Sequence, residues 1–278
     1  MDLSWFQSIF FGLVSGITEI FPVSSQAHRI LMLKMFGISS VPAMLQLMID
    51  LGIVAALYYS CQNHIIRIIR AKRLSRVPKR HRKRPLDTTS LMDLSLLKTM
   101  VIPVILSFFV YDKVQAVGTK MLWIALLMLA NGVILYIPQF FPSANRDSRT
   151  MSRVQGLLIG LGGTIGIIPG LSTVAGAYTV SSLCGVDKKY RMNVIFLLTL
   201  FVYVGRILFD FLALVSLGLG GITFGEIILC LLSGVVAFGG AMLAVKLLRS
   251  LMEEIGSAVF GFYCWGIALF TFIMNLIA

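Results

Sequence analysis

The sequence predicts an all-α polytopic membrane protein, with about six transmembrane helices and two re-entrant helix hairpins in an inverted-topology repeat. Three observations carry that reading. Of the 278 residues, 58% are hydrophobic and only 13% charged, against roughly 25% charged in soluble domains; the mean hydropathy is +0.90. An ordinary soluble enzyme and a disordered chain are both excluded. Six stretches reach the roughly 20 apolar residues that a membrane-crossing helix needs. Two further apolar stretches are each interrupted near the middle by Gly, Pro and Ser.

The chain reads as a single integral membrane domain, 1–278. Its first hairpin covers 3–35 and breaks within Gly16-Ile17-Thr18-Glu19-Ile20-Phe21-Pro22-Val23-Ser24-Ser25-Gln26-Ala27-His28. Spans follow at 42–60, 91–111 and 120–141. The second hairpin covers 154–184 and breaks within Gly162-Gly163-Thr164-Ile165-Gly166-Ile167-Ile168-Pro169-Gly170-Leu171-Ser172-Thr173-Val174-Ala175-Gly176. The last spans are 192–216, 222–248 and 255–277. Unpaired backbone cannot face lipid and survives at membrane depth only when buried in protein or lining a wet cavity. Both interruptions therefore read as helix–turn–helix hairpins.

The net charge of +12 raises nucleic-acid binding, and its placement discards it. The basic loop 61–90 holds ten Lys and Arg residues against one acid, Asp87. The 142–153 loop, the 187–191 turn and the 246–249 helix end bring the total on that side to eighteen of 24. Such an excess marks the cytoplasmic face, so the charge is topological and no nucleic-acid partner is expected. Both termini then lie outside. No basic residue precedes the first apolar run, which argues against a cleaved signal peptide. The four cysteines are scattered, giving neither a disulfide framework nor a zinc site. A homo-oligomer is compatible with a compact membrane protein, but no residue specifies one.

Placing Pro22 on Pro169 also places Ser25 on Ser172, at an offset of 147 residues. An odd number of spans separates the hairpins, so the second copy enters from the opposite face. The first repeat runs over about 1–117 and the second over about 152–278. Interrupted helices at matching positions point to a site near the midplane. Charged groups at membrane depth are costly and default to functional candidates; here they are Glu19, His28, Asp50, Arg206 and Asp210. Glu19, Ser25 and His28 share one hairpin, and a carboxylate, a hydroxyl and an imidazole suit acid–base or nucleophilic chemistry. Ser172 follows Pro169-Gly170, where helix-start N–H groups hold anions. Asp50 reads as a group that orients the first hairpin. Arg206 and Asp210, four residues apart, share a helix face and read as an ion pair, with phosphate binding by Arg206 the alternative.

Glu19-Ile20-Phe21-Pro22-Val23-Ser24-Ser25-Gln26-Ala27-His28 closely resembles the Glu-Phe-Leu-Pro-(Ile/Val)-Ser-Ser-Thr-(Ala/Gly)-His segment of the bacterial undecaprenyl-diphosphate phosphatases, the bacitracin-resistance family. Pro169-Gly170-Leu171-Ser172 resembles the opening of that family's Pro-Gly-x-Ser-Arg-Ser-Gly motif. The resemblance implies a multi-pass protein of the bacterial cell membrane, with a site open to the outer face. The implied reaction releases phosphate from a polyprenyl diphosphate carrier lipid of cell-wall synthesis. It also implies catalytic roles for Glu19, His28 and Ser172, with Ser25 a less favoured nucleophile. Ser24, Gly170, Thr173 and Arg206 become substrate contacts, and a divalent cation, Mg²⁺ or Ca²⁺, would be held at Glu19. The departures bear on mechanism. Ser15 stands in place of the first glutamate of a Glu-x-x-x-Glu pair, Thr173 in place of the motif arginine, Val174 in place of a serine, and Asn193 in place of an acid. Arg29, Lys34 and Arg206 are the candidate substitute cations. The alternative is a catalytically impaired relative that binds or translocates a lipid phosphate or another anionic amphiphile.

Overall fold

A computed structural model describes residues 4–38, 40–117, 120–141, 145–217 and 223–277. Within them the chain is almost entirely helical; the only β-type pairing is an isolated bridge between Arg146 and Val186. Helix α1 (Trp5–Ile20) opens on a capping box, with the Gln7 N–H donating to Ser4 Oγ at 3.2 Å and the Ser4 N–H to Gln7 Oε1 at 2.8 Å. Such a box satisfies two of the N–H groups that a helix start leaves open. The helix stops at Phe21-Pro22, because proline cannot donate to the next turn. Helix α2 (Ser25–Phe36) restarts behind Ser24 and ends on Gly37 in the left-handed region. These two arms are the first hairpin.

Helices α3 (Ala43–Ser75) and α4 (Thr88–Phe108) follow, then the short α5 (Tyr111–Val117) and α6 (Met121–Tyr136), which runs on as a 3-10 turn to Phe140. The second hairpin consists of α7 (Arg153–Thr164) and α8 (Thr173–Leu183), separated by a 3-10 turn and Pro169-Gly170. Helix α7 opens on a second capping box, Ser152 with Gln155. The chain closes with α9 (Lys188–Leu217), α10 (Phe224–Glu254) and α11 (Ala258–Ile277). Among the described residues six helices are long and apolar enough to cross a membrane: Ala43–Ser75, Thr88–Phe108, Met121–Phe140, Lys188–Ser216, Phe224–Glu254 and Ala258–Leu276. They coincide with the six stretches that hydropathy marks. Their exposed faces carry large apolar residues, among them Ile105, Leu126, Phe211, Val235 and Leu269, as lipid contact requires.

One boundary differs. The sequence places the basic loop at 61–90, whereas α3 continues to Ser75 and non-helical chain begins only at Arg76. Lys and Arg are good helix formers, and nothing breaks the helix before Pro78. Arg67, Arg70, Lys72 and Arg73 therefore ride on a helical extension of the span.

The packing has a paired pattern. Helix α1 packs on α10 while α7 packs on α4; α3 packs on α9, and α6 on α11. Small residues set the closest approach: a Cβ on Gly16 of α1 would run into the backbone of Ala237 on α10. The common core contains Phe11, Ile49, Ile53, Leu57, Phe196 and Tyr203, all fully buried. Val23 and Val174, beside the breaks in the two hairpins, belong to the same cluster.

Candidate active site

The break in the first hairpin bends the chain sharply. Ser24 holds φ 60°, the only non-glycine residue with positive φ among those described. That conformation is uncommon for an L-residue and is retained only where the surroundings over-determine it. The surroundings are hydrogen bonds. The Ser24 hydroxyl accepts from the Ala27 N–H at 3.4 Å and from the Gly170 N–H at 3.1 Å. Ser24 thus caps α2 and ties it to the second hairpin. Gly170 adopts φ 105°, a region essentially reserved for glycine, so its N–H can turn toward Ser24.

A second tie runs through Asn131, fully buried in the middle of α6. Its amide donates to the Pro22 carbonyl at 2.9 Å and accepts from the Ser172 N–H at 3.0 Å. One side chain thereby satisfies a backbone group in each broken helix.

At the turn, Ser25 Oγ donates to Glu19 Oε2. The five intervening residues reverse the chain, so the end of α1 faces the start of α2. His28 lies one turn further along α2 and is buried. Its Nδ1 is 2.8 Å from the Ser24 carbonyl and its Nε2 is 2.8 Å from the Tyr263 hydroxyl on α11. A carbonyl can only accept, so Nδ1 carries the proton of the neutral ring. Nε2 is then the basic nitrogen and accepts from Tyr263.

Behind Glu19 lies a buried charge network. Arg206 Nη1 on α9 is 3.8 Å from Glu19 Oε2, and its Nη2 is 3.0 Å from Asp50 Oδ2. Arg29 Nη2 is 2.9 Å from Asp50 Oδ1. Asp50 therefore holds both guanidiniums, an arrangement that offsets much of the cost of burying them. Arg206 also donates to the Tyr203 hydroxyl at 3.0 Å and lies over its ring. The expected pair of Arg206 with Asp210 is corrected: the ion-pair partners of Arg206 are Asp50 and Glu19, which close the distance from α3 and α1. Asp50 orients the arginines as well as the hairpin, and Gln46 adds a hydrogen bond to it at 3.1 Å.

The substitutions in the two motifs acquire a structural partner here. Ser15, in the glutamate position, accepts from Arg29 Nε at 3.1 Å. Arg29 and Arg206 both stand in the site, whereas Lys34 is exposed in the last turn of α2. Ser172 is the N-cap of α8 and its Oγ accepts from the Ala175 N–H at 3.4 Å. Thr173 is the first, buried residue of α8. Asn193 accepts from Arg249 at 3.0 Å, far along α9 from Arg206. Thr179 donates to the Ile134 carbonyl on α6, an inter-helix tie. Residue reading missed Asn131, Tyr263 and Tyr203. For Asn131 a signal existed: a side-chain amide inside an apolar span commonly hydrogen-bonds between helices. Tyr263 has no such mark, since tyrosine is frequent in membrane helices near their ends.

The fold and this constellation define a multi-pass membrane protein with a buried hydroxyl–carboxylate–imidazole centre flanked by guanidiniums. The chain belongs to the bacitracin resistance protein BacA family, whose family model matches residues 8–270. Among similar proteins, the undecaprenyl-diphosphatase of Halothermothrix orenii is 25% identical over 269 residues, 97% of each chain. That of Methanobrevibacter smithii is 26% identical over 275 residues, again 97% of each chain. Undecaprenyl-diphosphatase 1 of Shouchella clausii is 26% identical over 277 residues, 98% of this chain and 97% of its own.

Proposed function

We propose that this protein hydrolyses undecaprenyl diphosphate, releasing inorganic phosphate and leaving the monophosphate carrier lipid for cell-wall synthesis. The observation that carries the reading is the Ser25–Glu19 hydrogen bond, set among buried guanidiniums. It joins a hydroxyl nucleophile to a general base beside fixed positive charge, the parts phosphoryl transfer needs. Relatives over nearly the full chain length carry the same activity in their names.

In the first step Ser25 Oγ attacks the terminal phosphorus and its proton passes to Glu19. The bond from that phosphorus to the bridging oxygen breaks, and the oxygen leaves on the prenyl monophosphate. Protonation neutralises Glu19, which frees the charge of Arg206 to face the phosphoryl oxygens. In the second step water attacks the phosphoserine. The water gives its proton to the Tyr263 hydroxyl, whose own proton passes to His28 Nε2, and Glu19 returns its own to Ser25 Oγ. Free phosphate and the serine are restored, and His28 releases its proton to solvent. The hydroxyl bonded to a base is that of Ser25, so Ser25 ranks above Ser172 as nucleophile. Ser172, Gly170 and Ser24 hold the two hairpin tips together, and Thr173 packs beneath them.

The donor set does not fit a divalent ion at Glu19. Ser15 supplies no carboxylate, and Glu19 and Asp50 already face Arg206 and Arg29. Among the described residues no three His, Cys, Asp or Glu side chains stand close enough to share a metal. The guanidiniums take the electrostatic role.

The polyprenyl tail lies in an apolar crevice of about 550 Å³ between α4 and α9, lined by residues including Val104, Phe108, Val204, Leu208 and Phe209. Gly205 and Phe209 of that crevice each precede Arg206 and Asp210 by one residue, about 100° around α9, so the crevice runs alongside the site on the lipid-facing side of the helix. The paired packing of α1 on α10 and α7 on α4 supports two halves of inverted topology. The basic ends of α3 and α10 face the cytoplasm, which puts the hairpin tips toward the outer leaflet.

The test is product analysis by mass spectrometry after incubating purified protein in detergent with undecaprenyl diphosphate. Conversion to the monophosphate is expected. Lipid binding or movement without conversion would support a binder or translocator instead.

A further inference from the structure

A second cavity lies at the other end of the same helices. It has a volume of about 370 Å³ and is bounded by α3, α9 and α10. Three cationic side chains line it, Arg67, Lys246 and Arg249, together with His64, Asn63 and Asn193, and no lining residue is acidic. His64 lies fourteen residues beyond Asp50 on α3, and Asn193 thirteen residues before Arg206 on α9. At 1.5 Å per residue each offset is about 20 Å, so the cavity is separate from the Glu19 site.

We infer that this cavity is a second anion site, which takes a phosphate group, free or as a monoester, at the membrane face opposite the hairpin tips. Lys246 and Arg249 stand three residues apart and present their charges to one side of α10. Arg249 is positioned before any ligand arrives. Its guanidinium donates to Asn193 at 3.0 Å and lies 5.0 Å from the centre of the Phe196 ring. That leaves donors of a planar fork for an anion. His64 provides the independent sign. It is 8% exposed, its Nε2 is 3.0 Å from Asp93 Oδ2, and its buried Nδ1 has no hydrogen-bond partner. Asp93 can only accept, so Nε2 carries the proton and the open Nδ1 is an acceptor, a costly group to bury unpaired; a P–OH group of a ligand in the cavity would satisfy it. Asp93 is held from the far side by the Tyr190 hydroxyl at 2.8 Å, so it orients the imidazole from outside the cavity. Basic pockets between membrane helices at such a face are suited to phosphate head groups.

The 147-residue offset of the hairpins gives the cavity a second rationale. It places Gln46, Tyr59 and Asn63 on Asn193, Arg206 and Asp210. Residues of this cavity thus occupy positions that in the other half contribute to the Glu19 site, at the opposite end of the molecule. Two crevices at opposite faces are what an inverted repeat generates from one architecture.

The ligand group comes from free phosphate or from a lipid head group, and affinity separates the two. Isothermal titration of the purified protein in detergent uses inorganic phosphate in one arm and farnesyl monophosphate in the other. Variants are the double change Lys246→Gln with Arg249→Gln, the rim change Asn63→Asp, and, as a charge control, Arg73→Gln with Arg76→Gln. Binding by the wild type, at least tenfold weaker in the first two variants and unchanged in the control, is the expected result. Farnesyl monophosphate binding at least tenfold tighter than phosphate identifies a lipid head group; equal affinities identify the free anion. Equal binding by the wild type and both cavity variants would overturn the proposal, as would equal loss in the charge control. Absence of any binding by the wild type would do the same.

Discussion

Asp50 is the residue on which the buried charges depend. It faces Arg29 at 2.9 Å and Arg206 at 3.0 Å, and is itself fully buried. Asp50→Asn keeps the shape and removes the charge, leaving Glu19 as the one carboxylate within ion-pair distance of either guanidinium among the described residues. Breaking a buried pair costs about 3–5 kcal/mol, so this variant should unfold at markedly lower denaturant than the wild type. Asp210→Asn, outside those ion pairs, should change stability much less. Arg206→Gln should lower the rate by about 10³-fold, the scale of an arginine in phosphoryl transfer, while EDTA leaves wild-type activity unchanged. Activity abolished by EDTA and restored by Mg²⁺ would return the electrostatic role to a metal. The contrast between Glu19 and Asn131 shows what residues alone reveal. Glu19, Ser25 and His28 are close in sequence and carry their chemistry in a local motif. Asn131 and Tyr263 reach the site from α6 and α11, and only folding brings them there. The Arg206–Asp210 spacing suggested a local pair, but two carboxylates from other helices took its place.

Among the elements, the six spans were legible because lipid imposes a simple rule: a long apolar run must close its own backbone hydrogen bonds. The helical extension of α3 beyond the bilayer was not, because hydropathy ends at the interface while helix formation does not. The same reasoning locates the start of α4. The Asp87 carboxylate accepts from the Ser90 hydroxyl and N–H, and these bonds hold it below its ordinary pKa. The cap is therefore fully present above the ordinary carboxylate pKa and is lost as pH falls through the depressed value. Hydrogen exchange at the first turn of α4 should quicken only in that acidic range, and Asp87→Asn should blunt the change. The crevice between α4 and α9 makes a prediction of its own. Val204→Trp should lower kcat/KM for undecaprenyl diphosphate at least tenfold and leave that for farnesyl diphosphate within twofold. An equal loss for both substrates would remove the tail from this crevice.

For the whole molecule, two broken helices meet through two backbone-to-side-chain ties, Gly170 to Ser24 and Asn131 to both Pro22 and Ser172. The shared Pro-x-x-Ser spacing marks the break in each hairpin, but not the amide that joins them. Orientation is a property at this scale. Single cysteines at Arg80 and Lys113, in a background with the four native cysteines changed to Ala, should label from opposite sides of sealed vesicles, Arg80→Cys from the cytoplasmic side. The central claim concerns where the reaction occurs, and phosphate release from undecaprenyl diphosphate tests it most directly. Wild type, Ser25→Ala and Ser172→Ala should be compared in detergent without added metal. Release should fall at least 10³-fold in Ser25→Ala with lipid binding retained, and far less in Ser172→Ala. Equal rates in wild type and Ser25→Ala, or loss confined to Ser172→Ala, would contradict the account.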